Sequence, residues 1–257
     1  MIRKSFLLHS FLICLALFSQ YAQADIPADE LQRQTMQVYA SQSVGSLLLY
    51  RGEGFQEEHL AQLNGDLAAL QRAVDAYPQA DEELRQASRK LVGLVRQGAA
   101  FGPNEEDVPW RYSKDLAHGL LGFLKQSERF APAADAQGEL AAWQLPARIE
   151  FLSMLYLGRS YIGNLEIARE QPDKYYGQDE SVLVPQVDKE IQQLSAQDAA
   201  ALRKLQSRWK YLQSALSDLD SKTNSPVTLS GRPWAPITVA RNARAISMQL
   251  LQISQGH

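Results

Sequence analysis

Apolar residues recur at every third or fourth position along almost the whole chain. This spacing places them on one face of an α-helix, and the strict alternation that is typical of a half-buried strand is almost missing. The chain is therefore predicted to be all-α. The pattern predicts eight helices, near residues 29–51, 57–76, 81–101, 112–130, 140–171, 181–194, 196–220 and 236–254.

Polar segments separate these predicted helices. Asp81-Glu82-Glu83 places carboxylates at the start of the third helix, where they can accept hydrogen bonds from free backbone amides and oppose the helix dipole. The segment 195–198 has the spacing of a capping box. Helices of about 20 residues are roughly 30 Å long, and short loops between such helices are typical of antiparallel four-helix bundles.

A sparse internal repeat divides the chain into two halves. We expect a duplication, giving two tandem antiparallel four-helix bundles over residues 25–131 and 143–257, joined by the alanine-rich segment 132–142. Each Pro-Trp pair precedes the last helix of its half, so we expect both tryptophans to pack on the bundle ends. The matched residues, in the same order in both halves, are Tyr39 and Ser43 with Tyr156 and Ser160, Leu84-Arg85 with Leu202-Arg203, and Pro109-Trp110 with Pro233-Trp234.

The first 24 residues have the pattern of a cleaved secretory signal peptide. Arg3 and Lys4 precede an apolar stretch over residues 6–18, and small residues over 22–24 form a cleavage site. The apolar stretch is shorter than the roughly 20 residues that a membrane-spanning helix needs. We therefore expect a mature chain that begins at Asp25 and lies in the periplasm. The only cysteine, Cys14, lies within the signal, which excludes cysteine chemistry after cleavage.

The charge and the motifs narrow the function classes. Loss of Arg3 and Lys4 takes the formal charge from −3 to −5, which argues against nucleic acid as a main partner. The remaining histidines are far apart, and nucleophile-elbow and phosphate-loop motifs are missing. The acidic clusters lie at helix ends or in polar loops, where solvated carboxylates are expected. We therefore expect no enzyme activity, no catalytic residues, no metal and no cofactor. A carboxylate-based hydrolase remains an alternative.

Five residues are candidates for binding. Arg148 and Arg159 lie in or beside the apolar face of the fifth helix, and Arg33 lies on the first helix. A buried arginine needs either an internal acid or an anionic ligand, and both alternatives stay open here. Tyr175 and Tyr176 lie in a loop, where exposed rings would suit contact with a partner protein. Rings folded back over the bundle end are the alternative.

The chain resembles the periplasmic helical modules of type IV pilus methyl-accepting transducers and nitrate-sensor kinases. The resemblance is carried by Gln32-Arg33-Gln34-Thr35-Met36 and by the segment LRKLQSRW at residues 202–209. It implies a first helix at a bundle or dimer interface, and two such modules in tandem in the transducers. This chain departs from the family because no transmembrane helix or signalling domain follows the bundles.

These observations predict a periplasmic binding or accessory protein that contacts an envelope or inner-membrane protein through a helix face or the Tyr175-Tyr176 loop. Sensing of a small anionic ligand near Arg33, Arg148 or Arg159 is the alternative in a different class. A homodimer is a further alternative.

Overall fold

The computed structural model describes residues 27–131, 144–163, 173–194, 199–217 and 235–255. These residues form helices and connecting turns, with no strand among them, so the predicted all-α class is confirmed. The helices, with the labels used from here on, are α1 (Ala28–Gly52), α2 (Glu57–Ala76), α3 (Glu82–Ala100), α4 (Tyr112–Glu128), α5 (Leu145–Ile162), α6 (Glu180–Gln193), α7 (Ala199–Ser217) and α8 (Pro236–Gln255). Short 3-10 turns lie at Glu105–Asp107 and Tyr175–Gly177.

Local chemistry explains several helix boundaries. The Asp81 side chain accepts a hydrogen bond from the backbone amide of Leu84 at 2.9 Å, as the acidic start of α3 predicts. Arg51, in the last turn of α1, donates to the carbonyl oxygens of Gly98, Phe101 and Gly102 at the end of α3. Gly163 has a positive φ of 80° and ends α5, within the range 140–171 that was predicted for the fifth helix; residues 164–171 lie outside the described residues.

The helices of each half contact one another. In the first half α1 packs on α2, α3 and α4, and in the second half α5 packs on α6, α7 and α8. The matched serines make the same bond in both halves: Ser43 donates to the carbonyl of Tyr39, and Ser160 donates to the carbonyl of Tyr156, each at 2.8 Å. This agreement supports the duplication, which stays a prediction.

The two halves share one hydrophobic core. α1 packs on α5 over a large interface, and α8 packs on both of them. Both central helices are buried on most of their surface, α1 from Met36 to Leu49 with few breaks and α5 from Leu145 to Met154. Tyr161 of α5 lies against Gly52 of α1 so closely that a methyl group at Gly52 would overlap its ring. The described parts of the two predicted bundles, 25–131 and 143–257, therefore share one continuous hydrophobic core.

Trp110 does not close a bundle end as the sequence predicts. Its side chain is 86% exposed, and its ring lies under the guanidinium of Arg111, with 5.5 Å between the Arg111 Cζ atom and the ring centroid. Tyr112 takes the buried place instead, packing edge to face on Phe101 and donating to the carbonyl of Leu94. The prediction for Trp110 is wrong. Trp234, the segments 1–24 and 132–142 and the predicted capping box 195–198 lie outside the described residues.

Candidate functional site

A pocket of about 200 Å³ lies among α1, α2, α5 and α8, where the two halves meet. Each helix contributes polar residues to a largely apolar core. The rim carries exposed or half-buried residues of α2 and α8, including Glu58, His59 and Arg241. The inner polar residues that line the pocket are Ser41, Gln42, Ser46, Glu150, Ser153 and Arg244.

An ion pair between Arg244 and Asp66 forms one side of this site. Asp66 follows the buried Leu63 by one turn of α2, so its carboxylate points into the core. Both terminal nitrogens of Arg244 donate to the two Asp66 oxygens at 2.7 Å, in the fork geometry that guanidinium and carboxylate groups favour. Arg244 also donates to Gln42, and Ser46 donates to Asp66 at 2.6 Å. The charge of Asp66 is thus balanced within the protein.

Glu150 is the second buried carboxyl of the site, and its surroundings differ. Its Oε1 atom accepts hydrogen bonds from the Gln42 amide at 2.7 Å and from the Ser247 hydroxyl at 2.5 Å. Both donors are neutral. Burial raises the pKa of Glu150, and the nearby charge of Arg244 and the two hydrogen bonds offset this only in part. Its Oε2 atom accepts no hydrogen bond from the described residues.

The remaining pocket wall combines hydroxyl groups with apolar side chains. The Ser41 hydroxyl is buried and has no hydrogen-bond partner among the described residues. Ser153, from the facing helix, is also buried and lines the pocket. A buried hydroxyl without a partner is costly and uncommon in folded proteins. The apolar side chains of the wall are Leu49, Met154, Leu157 and Ala240.

Arg33 belongs to a different buried cluster, between α1 and α4. Its guanidinium is 1% exposed and donates to both oxygens of Glu30, at 2.6 and 2.7 Å, and to Glu128. Gln37 donates to Glu128 at 2.7 Å and to Ser127 at 2.9 Å. These acids raise the pKa of Arg33 in spite of its burial. The internal-acid alternative is therefore the one observed at Arg33. Because Glu30 and Glu128 already balance the charge of Arg33, an anionic ligand has no unpaired charge to bind there.

Arg148 and Arg159 are also occupied by acids on α6. Arg148 donates to Glu190 at 2.6 Å, and Arg159 donates to Glu180. Both pairs join α5 to α6 and are largely buried. An anion would have to displace a carboxylate at either arginine, at the cost of leaving that carboxylate unpaired. Arg33, Arg148 and Arg159, which were predicted to bind an anionic ligand, are therefore each paired with acids of the protein itself.

Tyr175 and Tyr176 are buried, contrary to the exposed loop tip that a partner contact would need. Each side chain is 4% exposed. Tyr175 packs edge to face on Phe151 of α5 and on Tyr176, and its hydroxyl donates to Gln37 at 3.3 Å. The rings fold back because an aromatic surface of this size gains more from burial in the core than from exposure. The alternative prediction, rings covering the bundle end, describes what is observed.

Two further observations concern metals and membranes. Within the described ranges, no group of three or more His, Cys, Asp or Glu side chains could hold a metal ion. Asp107 accepts a hydrogen bond from the backbone amide of Asn104 at 2.9 Å and closes a 3-10 turn. None of the described helices is both long enough and apolar enough to cross a membrane.

The central residues of the pocket were missed at the sequence level, although two of them carry a signal. Glu150 lies between Ile149 and Phe151 in the most apolar helix of the chain, and Asp66 shares the apolar spacing of Leu63 and Leu70. A carboxylate at such a position must be paired or neutral. Arg244 gave no comparable signal.

Comparison of the chain with protein-family models, with curated proteins and with solved structures finds no match. The resemblance to transducer and sensor-kinase modules therefore stays a prediction.

Proposed function

We propose that this protein binds a small molecule in the pocket among α1, α2, α5 and α8. The observation that carries the proposal is a buried carboxyl group in the wall, Glu150, which accepts hydrogen bonds only from neutral groups and forms no ion pair among the described residues. Protein interiors rarely leave such groups without partners, whereas ligand pockets present a few of them within an apolar wall. The location suits a receptor role, because a ligand there would contact helices of both halves.

Thermal-shift screening of the full chain tests this proposal. Amines, amino acids, carboxylates, phosphates and divalent metals are screened separately. A ligand present at 100 times its dissociation constant adds about 2.7 kcal/mol of stability, which corresponds to an increase in Tm of about 5 to 11 °C for a chain of this size. No increase with any class would count against a small-molecule pocket.

A matched pair of variants locates the binding. Ala240→Leu places a larger side chain in the pocket wall, and Ala61→Leu makes the same change at an exposed position of α2. Ala240→Leu should abolish the stabilisation by ligand, whereas Ala61→Leu should retain it. Equal stabilisation of both variants would place the ligand elsewhere.

A carboxylate-based hydrolase is the second candidate, and one observation favours it. Glu150 is a carboxyl group with a raised pKa in a pocket, which is the state required of a general acid. The second carboxyl group that such chemistry needs is Asp66, and both of its oxygens are bonded to Arg244. Fluorogenic ester and glycoside substrates test this candidate. Turnover that is lost in Glu150→Gln would favour the hydrolase over simple binding.

The predicted envelope partner, homodimer and periplasmic location have no structural observation of their own. The loop that was expected to reach a partner is packed into the core, so any partner contact is expected on a helix face instead.

A further inference from the structure

The charges buried around the pocket do not balance. Two carboxylates, Asp66 and Glu150, face one arginine, Arg244. Arg244 is bonded through both terminal nitrogens to Asp66. No cationic side chain among the described residues forms an ion pair with Glu150, whose hydrogen bonds come from an amide and a hydroxyl. The Arg33 cluster differs, because there one guanidinium bonds both carboxylates.

The pocket wall also contains buried serines. Ser41 and Ser153 both line the pocket, and both are buried. The Ser41 hydroxyl is itself closed off and lacks a partner among the described residues. The Glu150 carboxylate and the Ser153 hydroxyl can both act as acceptors. The polar side of the pocket is therefore suited to a group that donates several hydrogen bonds and carries positive charge.

The rest of the pocket limits the ligand in size and polarity. Leu49, Met154 and Leu157 form the apolar part of the wall. A volume of about 200 Å³ is smaller than a drug-sized pocket and is equivalent to the liquid volume of about seven water molecules. An ammonium group with a short alkyl body of roughly four to seven heavy atoms fits these limits.

We propose that the pocket binds a small organic ammonium ion, with Glu150 as its counter-ion, Ser153 as an acceptor and the apolar part of the wall around its alkyl body. This inference rests on the small-molecule binding proposed above. An anionic ligand is disfavoured in the buried part of the pocket, because it would meet the Glu150 carboxylate while the Arg244 guanidinium is occupied by Asp66, and the other guanidinium, that of Arg241, lies on the exposed rim. A proton on Glu150 is the competing way to remove the charge, and it requires no ligand.

Isothermal titration calorimetry on the full chain tests this assignment with three probes of similar shape. The probes are n-butylammonium chloride, 1-butanol and sodium butyrate, each at the same ionic strength. Saturable binding of the ammonium ion, at least tenfold tighter than either other probe, is expected. Saturable binding of butanol or butyrate instead would overturn the ligand class and leave the small-molecule pocket standing. Binding of none of the three, in a protein that the broader screen does stabilise, also refutes the ammonium assignment alone.

Variants establish whether Glu150 carries the recognition. Glu150→Gln keeps the shape and the Oε1 acceptor but removes the charge, so binding of n-butylammonium should weaken at least tenfold. Ser153→Ala should weaken it less. Glu106→Gln makes the same chemical change at an exposed position and should bind like the wild type. Circular dichroism verifies that each variant is folded. Unchanged affinity in folded Glu150→Gln would overturn the proposal.

Discussion

Individual buried polar residues fall into two kinds in this protein. Arg33 represents the first kind, because each of its acids is bonded to it and the cluster is closed to solvent. Glu150 represents the second kind, because its charge has no ion-pair partner among the described residues and its second oxygen faces a pocket. The first kind is expected to hold the fold together, whereas the second is expected to lower stability and is the kind that the proposed ligand binding would use.

Replacement of Arg33 by Met should destabilise the protein by about 3 to 5 kcal/mol, because it leaves Glu30 and Glu128 buried without a cation. Urea denaturation followed by circular dichroism measures this loss. Arg89→Met is the control, since Arg89 pairs with Glu82 on the exposed surface and should change stability by less than about 1 kcal/mol. A loss below 1 kcal/mol in Arg33→Met would mean that the cluster contributes little.

Replacement of Glu150 by Gln should stabilise the empty protein in a pH-dependent way. Burial raises the pKa of Glu150 in the folded state, so the folded protein holds this proton more tightly than the unfolded chain. The contribution of Glu150 to the stability of the wild type is therefore present at low pH and is lost as the pH rises through the raised pKa. The Tm of Glu150→Gln should match the wild type near pH 4 and exceed it by a few degrees at pH 8. Asp66, Arg244 and His59 are present in both proteins, so the difference reports Glu150. An equal difference at both pH values would contradict this account.

At the scale of the elements, sequence periodicity predicted where the helices lie along the chain far better than it predicted which helices pack together. The starts of α2, α4 and α8 agree with the predicted ones, because apolar spacing and capping chemistry act over a few residues. Periodicity could not reveal that α1 packs on α5, since that contact joins distant segments. The pocket depends on this packing: Glu150 and its donor Gln42 belong to different halves. From the sequence, the site could therefore be predicted only as a carboxylate at an apolar position of a helix, and its hydrogen-bond partners could not be predicted.

The 3-10 turn Tyr175–Gly177 should be part of the core. Tyr175→Ala is expected to cost about 3 to 5 kcal/mol, because it removes a buried aromatic ring that contacts Phe151 and leaves a cavity. Trp110→Ala removes a larger ring from an exposed position and should change stability by less than about 0.5 kcal/mol. Denaturant titrations of both variants measure the difference. Similar losses of stability in the two variants would indicate that the Tyr175 ring is exposed.

At the scale of the whole molecule, the two halves are joined through their first helices. Helix α1 contacts three helices of its own half and also α5 and α8 of the other. In a separate four-helix bundle, one face of such a helix would be exposed to solvent. Here most of the surface of α1 is buried instead. The predicted repeat therefore concerns the order of the helices along the chain. The hydrophobic core that stabilises these helices extends across both halves.

This shared core predicts that the halves unfold together. Leu91 of α3 and Leu212 of α7 are fully buried in opposite halves, and replacing either by Ala should cost about 2 to 5 kcal/mol. In a single cooperative unit, Leu91→Ala should lower the protection of α7 amides by the same free energy as that of the best-protected α3 amides. Leu212→Ala should have the reciprocal effect on α3. Hydrogen exchange of the full chain followed by mass spectrometry measures both. If each variant affected only its own half, the protein would consist of two independent bundles, and a pocket formed by both halves would open whenever either half unfolded.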